Sequence, residues 1–318
     1  MAIICSGSLA IDRLSRFPGL FQDHILPDKL DFLNICFLVD QVERVPGGTA
    51  SNIAYNLTLL GEKPLIVGAV GRDSDGQEIM ASLKSRGLDL SYVAESDLPT
   101  SGCYAGADRH GNQLIFFHPG AMSHPSSFEP KDLPGEPAAH LAIVSPGGFS
   151  DMKRLCQAYR DLGIPFIFDP GQQVPAFSGP ELLAMLDGAL MLIVNEYEIE
   201  LFLRSTGLKL EDLFQYSDTV VITLGSQGSR LETPRGGQHI LPGPVDQVLD
   251  PTGAGDAYRA GILKALYRRE EILTACRLGS TVASFCVEAK GPQGHQFSPG
   301  EVLARHFRTF RETISSLG

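Results

Sequence analysis

The chain has 318 residues and carries 37 acidic against 26 basic side chains, a net charge of −11. It therefore lacks the basic surplus with which proteins hold nucleic acids or anionic membranes. Its composition is that of a globular protein long enough to bury its own core, as one large domain or two moderate ones.

At the N-terminus, Met1-Ala-Ile-Ile-Cys-Ser-Gly has no basic n-region, and Asp12 and Arg13 cut its apolar run short. It does not read as a signal peptide. The longest apolar run, Ala189 to Val194, is far too short to span a bilayer. Six cysteines, none in a Cys-x-x-Cys pair, read as free thiols rather than a zinc or thioredoxin motif. The expected location is cytoplasmic.

From Phe17 to Val45 helical signals are few, and from Thr100 to Pro119 small, polar and aromatic residues alternate, as in Leu114-Ile-Phe-Phe-His118. Both stretches are expected to supply strands of a small lid, 12–45 plus 99–119. The body would comprise 1–11, 46–98 and 120–318. A lid excludes water and completes a site on closing; the alternative is a pair of surface hairpins without a gating role.

Between them, Pro46-Gly-Gly-Thr-Ala-Ser-Asn52 opens a helix over 49–60 that Gly61 stops. Gly47 and Gly48 could let a ligand hydroxyl reach bare backbone, and Asn52 offers a donor and an acceptor to vicinal hydroxyls. An ordinary capped helix has the same appearance.

The second half alternates short apolar runs with helical segments. Leu141–Val144, Phe166–Phe168, Met191–Val194 and Thr219–Thr223 each end in polar or glycine-rich sequence, with helices over 151–162, 180–186 and 197–205. This is the pattern of βαβ units around a parallel sheet covered on both faces. Ligands in such sheets bind at the carboxyl ends of the strands.

The most telling segment is Asp250-Pro-Thr-Gly-Ala-Gly-Asp256-Ala-Tyr-Arg-Ala-Gly-Ile-Leu. Gly253, Ala254 and Gly255 precede a helix with an apolar stripe at Ile262, Leu263, Leu266 and Tyr267. Such a turn frees backbone N–H groups at a positive dipole end, where they could stabilise a phosphoryl group in transfer. Asp256, in the first turn, could accept the proton of an attacking hydroxyl, a role worth about 10²–10⁴-fold. A plain N-terminal helix carboxylate is the bland alternative. There is no Gly-Lys of a Walker A loop and no Gly-x-Gly-x-x-Gly, so the anion hole must work with Mg²⁺ rather than a P-loop lysine.

These two glycine segments, in this order, resemble the paired signature of the PfkB (ribokinase-like) carbohydrate kinases. Gly7–Asp12, Arg16–Gly19, Phe37–Asp40, Pro119–Met122 and Asp169–Gln173 look further like the adenosine kinases of the mycobacterial type. The resemblance implies a ribokinase-like three-layer α/β/α sandwich with a mainly parallel sheet and a small β lid. It implies ATP as donor, Mg²⁺, and a 5′-hydroxyl acceptor, most naturally adenosine. Another nucleoside, or a free sugar such as ribose or fructose, stays open, as does a catalytically idle nucleoside-binding protein.

By that resemblance Asp12 would bind the ribose 2′- and 3′-hydroxyls with Ser8, Gly48 and Asn52 nearby. Phe37 and Phe117 would cover the base, and Gln172 and Gln173 would touch the nucleoside. Asn195 and Glu198 would place Mg²⁺ through water, and Thr223, Gly225 and Gly228 would form the ATP-side loop. Asp250 and Thr252, with 288–296, could hold a monovalent cation such as K⁺, and Arg72 could offer a phosphate contact or lie in solvent. Where those enzymes carry a second stacking Phe, this chain has Cys103 next to Tyr104, which weakens the expectation of strict adenosine preference. Apolar lid strands often pair, which leaves a homodimer through the lid open.

Overall fold

The computed structural model describes residues 1–317. In chain order the strands are β1 (Ile3–Ser6), β2 (Ala10–Arg16), β3 (Val42–Gly47), β4 (Leu65–Gly71), β5 (Val93–Ser96), β6 (Ser101–Ala107) and β7 (Gln113–His118). They continue with β8 (Leu141–Val144), β9 (Phe166–Phe168), β10 (Met191–Asn195), β11 (Val220–Thr223), β12 (Ser229–Thr233) and β13 (Gly236–Ile240). The α-helices are α1 (Thr49–Leu59), α2 (Ser74–Ser85), α3 (Phe149–Leu162), α4 (Gly179–Leu186), α5 (Glu196–Thr206), α6 (Ala254–Tyr267), α7 (Ile272–Cys286) and α8 (Pro299–Phe310).

Nine strands form one sheet in the order β13-β12-β11-β10-β9-β8-β1-β4-β5. From β11 to β5 every pairing is parallel, and β12 and β13 add an antiparallel edge. The central strands β8 and β9 are uninterrupted apolar runs because both of their faces are buried and neither needs polar alternation. Ile3 and Cys5 point into the core under α1, α6, α7 and α8, whereas Ile4 points to the opposite core under α3, α4 and α5. The result is the expected α/β/α sandwich.

A second, four-stranded sheet, ordered β3-β2-β6-β7, forms the lid. Its register places Asp12 beside Cys103 and Cys103 beside Phe117. The stretch from Phe17 to Val45 corrects the expectation of strands throughout. Only its C-terminal end, from Val42, is strand, and the middle holds two 3₁₀ turns, Phe21–Asp23 and Pro27–Phe32. Pro27 starts the second turn, and the rings of Phe17, Phe21, His24 and Phe37 pack edge to face into one aromatic knot. Ring packing organises this segment more than backbone pairing does.

Helix α6 is fixed at three places. A Cβ on Gly261 would stand 2.6 Å from the Cα of Gly279, so α6 and α7 cross with backbones nearly touching. At the far end Lys264 and Arg268 each reach Glu62 Oε1 at 2.6 Å, tying α6 to the turn after α1. At the near end it meets the loop before α8. Gly261→Ala should push α6 off α7 and cost about 1–3 kcal/mol. Urea unfolding checks this, and a change within about 0.5 kcal/mol of wild type, the usual range for surface changes, would show that the close crossing is not constraining.

Candidate active site

The carboxyl ends of β9, β10 and β11, the N-termini of α5 and α6, and Gln113 of the lid enclose a cavity of about 670 Å³. Gln172, Glu198, Gly255 and Asp256 are on its wall. Past Thr223 and Gly225 the space continues into an apolar groove of about 330 Å³, lined by Pro242, Val245, Val248, Ala283 and Val287. Gly255 borders both spaces. The start of α6 thus stands where a polar chamber meets an apolar groove.

Gly253 caps α6 with φ of 83°, and a Cβ there would also meet Pro292 Cβ at 2.5 Å. Only glycine suits both demands. The turn is tighter than expected: Ala254 and Gly255 are already helical, and the Ala254 N–H donates to Pro251 O at 3.1 Å. This corrects the reading of Ala254 as an anion-hole donor, because its amide closes the turn. Among the described residues no acceptor lies on the N–H groups of Gly253, Gly255 or Asp256. Free amides at a helix start form an anion site.

Asp256 is half-buried and belongs to a dense carboxylate cluster. Burial pushes its carboxyl from 3.8 up to about 6, and the Asp169 and Glu198 charges add to this. Arg259 and the Asn52 hydrogen bond pull the other way. Arg259, one turn along α6, forks onto Asp169 at 2.5 and 2.6 Å and donates to Gly255 O at 3.0 Å. It is the positive charge that lets three carboxylates share this space. Asp12 is buried across the cleft, raised to about 7 first by desolvation and then by the Asp256 charge. Desolvation and the Asp12 charge push the Cys103 thiol up to about 12, so Cys103 stays a neutral thiol.

Several side chains expected at the ligand do other work. Ser8 Oγ accepts from the Thr49 N–H at 3.0 Å and so caps α1 from a distance. A Cβ on Gly47 would lie 2.1 Å from the Asp12 carboxylate, so Gly47 makes room for Asp12. Gly48 caps α1 at φ of 88°, pressed against Ser8 O. Asn52 Nδ2 donates to Asp256 Oδ2 at 2.8 Å. Gln173 braces Gly147, accepting from its N–H and donating to its carbonyl, which leaves Gln172 at the cavity.

Asn195 and Glu198 cap α5 reciprocally, each carboxamide or carboxylate oxygen accepting the other's N–H at 2.8 Å. Thr223 and Gly225 border both chambers, and Gly228, at φ of 90°, lines the groove. Asp250 accepts from the N–H groups of Thr252 and Gly291, so its two oxygens join the loop before α6 to the loop before α8. Arg72 is exposed and paired with Asp97 at 2.5 Å, which places it outside the cavity wall. Phe37 sits in the aromatic knot, and Phe117 lies on the lid across from Cys103.

Residues 20–297 match the pfkB family carbohydrate kinases. The chain belongs to that family. The PfkB match takes in strands of both sheets from β3 onward and the Asp256 segment, and it makes the chain a phosphotransferase with an alcohol acceptor. Nucleoside kinase from Methanocaldococcus jannaschii is 29% identical, with 92% of each chain covered. Its crystal structure, described as an archaeal member of the ribokinase family, superposes with a TM-score of 0.82. A nucleoside kinase of Burkholderia thailandensis in complex with inosine is 32% identical, with a TM-score of 0.90 over 98% of this chain and 99% of that one. The same enzyme in complex with ADP-inosine gives 34% and 0.87, over 98% and 97%.

Four members of this PfkB site escape sequence reading. Asp169 and Arg259 lie 90 positions apart, and nothing local marks their pairing. Gln113 sits in the stretch read as lid strand, and Gln293 in the 288–296 stretch read as a candidate cation site. Arg259, three residues after Asp256, offered a signal: a charge among the small and apolar residues of a buried helix demands a partner.

A pKa raised on folding means that ionised Asp256 weakens the native state. Stability from this group is present below pH 3.8 and is lost as pH rises toward about 6. Asp256→Asn should therefore melt at a higher temperature than wild type at pH 7.5, with the gap narrowing by pH 4.5. A lower melting temperature at pH 7.5 would mean that the carboxylate is fully compensated.

Proposed function

We propose that the protein is an ATP-dependent nucleoside kinase acting on the 5′-hydroxyl of purine nucleosides, adenosine among them. One observation carries this reading: the half-buried Asp256 carboxylate and the free amides of Gly253, Gly255 and Asp256 share one helix start at the junction of the two chambers. In this reading the apolar groove takes the adenine of ATP and the triphosphate runs past Thr223 and Gly225. The nucleoside lies under the lid.

Asp12 accepts hydrogen bonds from the ribose cis-diol, and a buried carboxylate makes such bonds strong. Phe37 and Phe117 cover the base, and Gln113 and Gln172 read its polar edge. With Cys103 where a second ring could stand, stacking is weaker, which suits a site that accepts more than one purine. Residues 12–45 and 99–119 act as the moving cover. The inosine complexes of the Burkholderia relative support a nucleoside acceptor, and its ADP-inosine complex supports an adenine nucleotide donor.

Asp256 takes the 5′-hydroxyl proton as that oxygen attacks the γ-phosphorus in line. Its raised pKa, about 6, puts it close to working pH, where a base is both ionised and basic. The amides of Gly253, Gly255 and Asp256 receive the charge that gathers on the phosphoryl oxygens. For a hydrated Mg²⁺ the residues fit: the Glu198 carboxylate lines the cavity, with one oxygen engaged by Asn195. Among the described residues no group of three or more His, Cys, Asp or Glu could cage an ion directly. An ion held through water would neutralise phosphate charge there.

Assayed with Mg·ATP, adenosine, inosine and guanosine should be phosphorylated at far higher kcat/KM than cytidine or ribose. Asp256→Asn should lower kcat by about 10²-fold or more while calorimetry still shows nucleoside and nucleotide binding. Ribose at equal efficiency would point to a sugar kinase, and wild-type turnover in Asp256→Asn would remove the base.

A further inference from the structure

Asp256 is the end of a chain of side-chain amides that runs out of the active site. Asn52 Nδ2 donates to Asp256 Oδ2 at 2.8 Å, and Gln293 Nε2 donates to Asn52 Oδ1 at 3.0 Å. The Arg86 guanidinium stands 3.5 Å from Gln293 Oε1. The four residues come from four places: the cap of α2, the loop before α8, the second turn of α1 and the first turn of α6. Other contacts fix that loop around Gln293. Tyr55 donates to His295 O and accepts from Gln296 at 2.8 Å, His295 Nε2 meets Asn56 Oδ1 at 2.7 Å, and Arg86 lies 4.6 Å over the Tyr55 ring. Pro292 presses on Gly253, so the same loop also backs the anion-hole turn.

The polarity of this chain is dictated at both ends. An ionised carboxylate only accepts and a guanidinium only donates. A side-chain amide can turn over, presenting either its NH₂ or its oxygen. Beginning at Asp256, Asn52 must aim its NH₂ inward and its oxygen outward. That oxygen needs a donor, so Gln293 must turn its NH₂ toward it and its own oxygen toward Arg86. Beginning at Arg86 gives the same arrangement.

We infer that Gln293, set by Arg86, is a positioning residue that holds the Asn52 amide with its NH₂ toward the catalytic carboxylate. The inference rests on the reading of Asp256 as the base. Without Gln293, Asn52 can present its oxygen to Asp256, which removes a hydrogen bond to the charged form and disfavours ionisation. A glutamate at 293 does more harm, because a second acceptor competes for the Asn52 NH₂.

The test is kcat/KM for adenosine against pH in Gln293→Leu, Gln293→Glu and Arg86→Met, beside wild type and Asp256→Asn. Gln296→Ala, on the same loop but off the chain, controls for loosened packing. The acid limb should move up by about one pH unit in Gln293→Leu, which is about a tenfold loss on that limb. It should move further in Gln293→Glu and less in Arg86→Met, with the nucleoside KM at high pH little changed. Gln296→Ala should keep the wild-type limb. If both Gln293 variants keep the wild-type limb while Asp256→Asn loses turnover, the chain does no positioning and the base reading stands. An equal shift in Gln296→Ala would assign the effect to loop packing and overturn the inference. Turnover retained in Asp256→Asn would instead sink the base reading on its own.

Discussion

The site depends on crowding negative charge around one helix start, at the junction of the two chambers. The Asp169 and Glu198 charges raise the proton affinity of Asp256, the Asp169 charge raises that of Glu198, and the Asp256 charge raises that of Asp12 across the cleft. In water such carboxylates would drift apart. Here the fold holds them, and one buried arginine keeps the group from neutralising itself. Arg259 is committed to Asp169 by a two-point fork, which fixes its charge in place while Asp256, held by Asn52, stays at the cavity wall.

The rest of the architecture positions that group. Helix α6 must start at one spot, so its far end is anchored to Glu62 and its middle is seated on α7 through glycines. The reading of its N-terminus as an anion site follows from backbone geometry alone. Gly253 is a glycine because its dihedral angle and the Pro292 contact both require one, and the freed amides are the consequence. The two chambers meet at Gly255, which has no side chain to add to their common wall.

Much of this was legible in the sequence where the determinant was local. The α6 segment, the α1 helix with its Gly61 stop, and the short strands before polar loops were all visible as spacing. Less legible were the contacts each residue makes across space. Ser8, Gly47 and Gln173 carry the right residue types at the right place, yet each serves a neighbour: a helix end, a carboxylate, a loop carbonyl. Arg259 and Gln293 were missed because their partners lie 90 and 241 positions away. The middle of the lid was misread because ring packing among Phe17, Phe21 and Phe37 leaves no two-residue period.

The account turns on one placement, the transferring group between the α6 amides and the Asp256 carboxylate. A crystal structure with adenosine, Mg·ADP and a planar fluoride mimic of the phosphoryl group tests it directly. The account predicts the mimic's equatorial atoms about 2.7–3.1 Å from the Gly255 and Asp256 nitrogens, with the adenosine 5′-oxygen in hydrogen-bond reach of Asp256. A mimic bound beyond reach of those amides, or a 5′-oxygen turned away from Asp256, would contradict it.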